Sequence, residues 1–180
     1  EETLQVEADL AARLFSVFPI LAMVLTPFLG IFLDKKGKGA TMLMVGALIM
    51  MVCHLCFAFV LPVYKAQWLA VALVLILGVS FSLVPAALWP SVPKIVPEKV
   101  LGTTYALVYW VQNLGLLSFK WISGAILGAS ALKGPFHVEL MFTGLCVVAL
   151  AVALLLMRTS DKHPELGLDR PNGAGRPASC

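Results

Sequence analysis

Apolar residues in this chain fall into five long, unbroken stretches separated by short polar ones. They run from about Leu10 to Leu33, Ala40 to Leu61, Gln67 to Trp89, Val100 to Leu127 and Val138 to Met157. A helix needs about 20 apolar residues to cross a bilayer, and each stretch is long enough. Apolarity that is continuous rather than alternating excludes a membrane barrel. The pattern predicts an all-α polytopic membrane protein with five transmembrane helices over residues 10–158. Residues 1–9 form an acidic segment ahead of them. Residues 159–180, rich in Gly and Pro, form a tail whose composition predicts disorder.

Composition sharpens this picture. Only 13% of residues are charged, against about 25% in soluble domains, and the mean hydropathy is +0.93. The net charge of +3 comes from basic residues placed between the apolar stretches, so it points to no nucleic-acid partner. Lys35, Lys36, Lys38, Lys94, Lys99, Arg158, Lys162, Arg170 and Arg176 fall on one side of the predicted membrane, and Lys65 and Lys133 on the other. Positive charge marks the cytoplasmic face, which predicts a cytoplasmic C-terminal tail. The chain starts Glu1-Glu2-Thr3 without a methionine and is read as a segment of a longer protein.

Candidate chemistry is sparse. Cys53-His54-Leu55-Cys56 has a faint metal-site look, but zinc needs four convergent ligands, and small packing cysteines beside one buried histidine account for it. No metal or other cofactor is expected. No nucleophile–base pair can be placed, so an enzyme is not expected. No carboxylate falls at mid-depth of any stretch; Glu139 falls at the outer start of the fifth. The sequence holds no Asn-x-Ser/Thr acceptor, so its loops cannot carry N-glycans.

Two stretches stand out. The first, Gly30-Ile-Phe-Leu-Asp34-Lys35-Lys36-Gly37-Lys38, drops from an apolar run into a charged loop and re-enters one. Gly30 would let a neighbouring helix approach closely. Asp34 would end its helix facing another helix's N-terminus, and the lysines would hold the loop at the cytoplasmic face. The second is the region from Ser82 to Leu116. Pro85, Pro90, Pro93 and Pro97 are expected to break the third helix near Trp89. Glu98 then favours the start of the fourth. Tyr105, Tyr109, Gln112 and Leu116 share one helical face, with Asn113 one turn from Tyr109. Amides at membrane depth need partners. Gln112 and Asn113 therefore either line a substrate path or bond a neighbouring helix, and Trp89 belongs to that path or to the interfacial aromatic belt.

The loop pattern G-x-x-x-D-[RK]-x-G-[RK], flanked by membrane-length helices, resembles the signature loop of the major facilitator superfamily. Lys35, where arginine is common, and Gly39, where a second basic residue is common, depart from it. The resemblance implies a partial facilitator fold, with these five helices as the eighth to twelfth of twelve. It makes Gly30, Asp34, Lys35, Gly37 and Lys38 a conformational latch. A narrower resemblance rests on Ala87 to Val92, Val96 to Tyr105 and Gln112 to Leu116. These closely resemble the lysosomal dipeptide transporters of that superfamily. That implies a multi-pass lysosomal membrane protein, a uniporter exporting dipeptides, cationic ones above all, to the cytosol by alternating access. Trp89, Tyr105, Tyr109, Gln112 and Asn113 would be substrate-binding. The implied partners are the dipeptide, the bilayer and a glycosylated lysosomal membrane accessory protein; a homodimer is also compatible. A facilitator for a sugar or organic anion, or a scaffold without transport, is the alternative.

Overall fold

The computed structural model describes residues 8–129, 134–168 and 171. Its five long helices are α1 (Ala8–Lys36), α2 (Gly39–Tyr64), α3 (Gln67–Ile95), α4 (Leu101–Ala129) and α5 (Gly134–Lys162). Each contains one of the five apolar stretches. Four of them, α1 from Ser16 onward, α2, α3 and α5, are long and apolar enough to cross a membrane. The fourth helix is just as long, at 29 residues. Its tyrosines, Trp110, Gln112, Asn113 and Lys120 leave it less apolar than the others.

Prolines bend the expectations most. The third helix does not break near Trp89: α3 runs through Pro85, Pro90 and Pro93 and ends at Ile95. The stop comes at Val96, which is extended (φ −117, ψ 133), as a residue before proline prefers to be. Helices tolerate internal proline where other groups satisfy the freed carbonyls, and Tyr105 does this for Trp89 (below). Glu98 opens a short 3-10 turn, Glu98–Val100, that leads into α4. In α2, Pro62 is preceded by a π-helical turn, Cys56–Val60, where the Leu61 N–H donates to the Cys56 carbonyl.

The boundary of the tail also shifts. Nothing in Thr159–Lys162 breaks a helix, so α5 continues to Lys162. The residue before Pro164, His163, leaves helical geometry (φ −124, ψ 66), and a turn over Pro164–Leu166 follows. Leu168 is then buried, at 4% exposed, so residues 159–168 are ordered rather than disordered. The acidic segment before Ala8 lies outside the described residues, as does the tail from 169 on, Pro171 apart.

Helix α3 packs against both α1 and α2, and α2 packs against α5; α4 touches α5 more lightly. The contacts are made mostly by small residues. Ala22, Ala40, Ala47, Ala70, Ala86, Ala87 and Ala153 are buried, and Ser80 and Ser82 are fully so. Lipid gives helices no hydrophobic reason to associate, so close approach of small side chains takes over. These two serines return their hydroxyls to their own helix, Ser82 to the Gly78 carbonyl at 2.7 Å and Ser80 to Leu77 at 2.9 Å. Large apolar side chains point outward along every helix, as a lipid-facing surface requires. Helix α4 has no buried residue at all.

Candidate functional site

The signature loop is two residues long. Gly37 donates its amide to the Leu33 carbonyl at 2.7 Å and ends α1, while the Lys38 carbonyl accepts from Met42 at 3.0 Å and starts α2. Both residues are left-handed, Gly37 at φ 72 and Lys38 at φ 65. Glycine adopts that conformation freely, whereas lysine does so at a cost of about 1–2 kcal/mol. The glycine of the motif thus serves the sign of φ. Lys35, Lys36 and Lys38 are exposed, and Asp34 is half-buried. Asp34 lines a small pocket with Leu33, Gly37, Gly39, Pro90, Ser91, Lys94 and Leu168. The Leu168 carbonyl accepts from Lys94 Nζ at 3.5 Å. It also lies 3.5 Å from where a Cβ on Gly39 would stand. The segment after α5 therefore folds back onto the loop, a contact between distant residues that no local pattern announces.

The close approach expected at Gly30 is not made by this segment's own described residues. Among the described residues nothing comes within 4 Å of a Cβ added there. Close approaches between α3 and its neighbours are made at Gly46, where a Cβ would stand 3.2 Å from the Ser80 carbonyl oxygen, and at Gly78, 3.0 Å from Leu21 Cδ2. These two positions set α2 and α1 hard against α3.

Three of the five substrate-path candidates come together at the junction of α3 and α4. The Trp89 and Tyr109 rings stack with centroids 4.6 Å apart and 25° between planes. Trp89 and Tyr105 meet at 5.7 Å and 44°. The Tyr105 hydroxyl donates to the Trp89 carbonyl at 3.2 Å. One ring cluster thus bridges two helices, with Tyr109 53% exposed. Asn113 is exposed and turns back to its own helix, its Nδ2 donating to the Tyr109 carbonyl at 2.7 Å. Gln112 is exposed one turn beyond Tyr109. The cluster offers aromatic faces with an adjacent amide, suited to a cation and a peptide group rather than to bond-breaking chemistry. Among the described residues no three His, Cys, Asp or Glu side chains gather as a metal site.

The sequence reading missed one ionisable pair. His54 Nδ1 lies 2.7 Å from Glu139 Oε2, joining α2 to α5. Neither residue carries a motif, and 85 positions separate them.

This membrane-helical architecture and its two-residue glycine–lysine loop agree with what the chain matches: the Major Facilitator Superfamily, over residues 1–177. The chain belongs to the major facilitator superfamily. Within it, curated relatives are named "Lysosomal dipeptide transporter MFSD1". The zebrafish (Danio rerio) protein is 36% identical over 160 residues, 88% of this chain and 32% of its own. The chicken (Gallus gallus) protein is 33% identical over 156 residues, 87% and 33%. The human (Homo sapiens) protein is 33% identical over 146 residues, 81% and 30%. This facilitator segment thus spans about a third of the length of the curated relatives it matches. No solved structure matches it.

Proposed function

We propose that this chain is part of a lysosomal dipeptide transporter, its helices being the last five of twelve, with the signature loop and tail on the cytosolic side. The observation that carries the reading is the Trp89–Tyr105–Tyr109 cluster, formed by the segment that most closely resembles such transporters. A dipeptide brings a cationic terminus, an anionic one, an amide and two side chains. Stacked rings cover a cation at about 0.5–2 kcal/mol, and the Gln112 amide can meet the peptide group from either end of its dipole. Export follows by alternating access, with rigid halves rocking about a central site. The anion that selects cationic dipeptides belongs to the rest of the protein, because no carboxylate falls at mid-depth of these helices and Glu139, five residues into α5, is engaged by His54. A heavily glycosylated accessory protein supplies the shield that this chain, with no N-glycan acceptor, does not.

The test is transport by full-length protein in liposomes. Lysine-containing dipeptides are expected to be carried, and a hexose or a dicarboxylate not. Transport of the hexose or dicarboxylate in their place would overturn the reading. The accessory partner is tested by co-purification from lysosomal membranes and by the half-life of the transporter when the partner is depleted.

A further inference from the structure

The His54–Glu139 pair is an ionisable cross-link inside membrane helices. The two side chains are 12% and 25% exposed. Gly39 to His54 is about 22 Å of helix and His54 to Tyr64 about 15 Å, so the pair lies in the half of α2 away from the signature loop. The imidazole stacks on Phe142 at 5.2 Å and 18°. Thr143 donates to the Glu139 backbone carbonyl at 2.8 Å, which leaves the carboxylate to the histidine. The π turn begins two residues beyond His54, and such turns are frequent at functional sites.

An apolar pair would pack these helices at least as well, since desolvating two charges offsets most of their attraction. An ionisable residue retained inside a membrane helix points to function by default. Histidine is the side chain whose ordinary titration falls between about pH 5 and 8. With a neutral imidazole, the ring N–H donates to a carboxylate whose charge stays uncompensated in an apolar setting. Taking up one proton turns the same 2.7 Å contact into a neutralised ion pair. The other titratable groups near it are few. Cys53 and Cys56 share its helix, Cys146 and the exposed His137 lie on α5, and Tyr64 and Lys65 sit at the far end of α2. Helix α3 carries no titratable side chain between Gln67 and Pro93, and α4, which touches α5, carries Tyr105, Tyr109 and Lys120.

We propose that His54 and Glu139 form a proton-binding site that ties α2 to α5 more tightly when the compartment facing away from the signature loop is acidic. That this compartment is the lysosomal lumen rests on the function proposed above; the proton site itself does not. The added attraction is present while the pair holds the extra proton and is lost when that proton leaves.

The test is thermal unfolding of purified full-length protein between pH 5 and 7.5, which needs no transport activity. The wild-type midpoint is expected to fall by about 1–2 °C across that range. His54→Gln and Glu139→Gln should each flatten the step, and the double variant should be no less stable than the worse single one. A flat wild-type profile, or an unchanged step in either variant, overturns the proposal. Should one variant not accumulate, the other and the wild-type profile decide. A pH step with no dipeptide transport would retain the proton site and discard the transport reading, and transport without the step would do the reverse.

Discussion

The Tyr105 hydroxyl caps the Trp89 carbonyl at 3.2 Å, and that acceptor is open because Pro93, four residues on, has no amide hydrogen to give it. The proline that would be expected to break α3 instead creates the anchor for a tyrosine of α4. Removing that hydroxyl leaves a freed carbonyl and lets the Trp89 ring drift. Tyr105→Phe should weaken binding of a lysine-containing dipeptide by about fivefold or more, one lost hydrogen bond being worth about 1 kcal/mol or more. Trp89→Ala should cost about tenfold or more, and Gln112→Ala a similar factor. Leu88→Ala, at an exposed position beside Trp89, provides the control and should change affinity little. Calorimetry on folded, purified protein reads all four; unchanged affinity in the three test variants would return the cluster to helix packing.

Asp34 is expected to set the balance between the two access states rather than to bind substrate. It lines a pocket with Lys94 and Leu168 at the loop end of the bundle, whose α3 wall includes Pro90, the residue after Trp89. Asp34→Asn should change the labelling of cysteines placed at either mouth of the transporter while affinity within one state stays constant. Equal labelling in variant and wild type would count against a latch.

Leu168 should act in the same direction. Its burial at 4% seats the post-helical segment on the loop, and truncating a buried leucine costs about 2–5 kcal/mol where it is well packed. Leu168→Ala should reproduce the labelling shift of Asp34→Asn, and the two together should be less than additive because they share one pocket. Independent, additive shifts would separate the tail from the latch.

Glycine substitutions distinguish the motif from the packing. Gly46→Ala places a methyl 3.2 Å from the Ser80 carbonyl oxygen and should destabilise the bundle by about 1–3 kcal/mol, while Gly78→Ala places one 3.0 Å from Leu21 Cδ2, a side-chain end that can move, and should cost less. Gly30→Ala meets open space among the described residues and should be tolerated by this segment. Thermal midpoints in detergent rank the three, and Gly30→Ala as the most damaging would reverse the assignment.

These contrasts show what the sequence made legible. Five continuous apolar stretches were enough to locate five helices, because burial in lipid demands unbroken apolarity. The Gly37-Lys38 turn could be read from its charge and glycine, and three rings at helical spacing from Tyr105 and Tyr109 back to Trp89 did converge. Tolerance of Pro93 in α3 could not be read, because the carbonyl it frees is met by a hydroxyl supplied sixteen residues later by another helix. The identity of the close-contact glycines was hidden for a similar reason: which face of a nearly all-apolar helix meets its neighbour leaves no amphipathic trace. The His54–Glu139 pair had neither spacing nor motif, being a meeting of α2 and α5 in space alone.

The connections have a mechanical consequence. Gly37 and Lys38 alone join α1 to α2, and Lys65 and Ala66 alone join α2 to α3, with Lys65 left-handed at φ 47. Two residues reach about 7 Å when fully drawn out, so neither joint has slack. A push on any of these three helices is handed to the next almost undiminished, as in a folding rule with stiff rivets. The stretch from Val96 to Val100 is longer, with a reach of about 17 Å, and it leads to the helix with no buried side chain. Of the described connections, that tether is the one with slack.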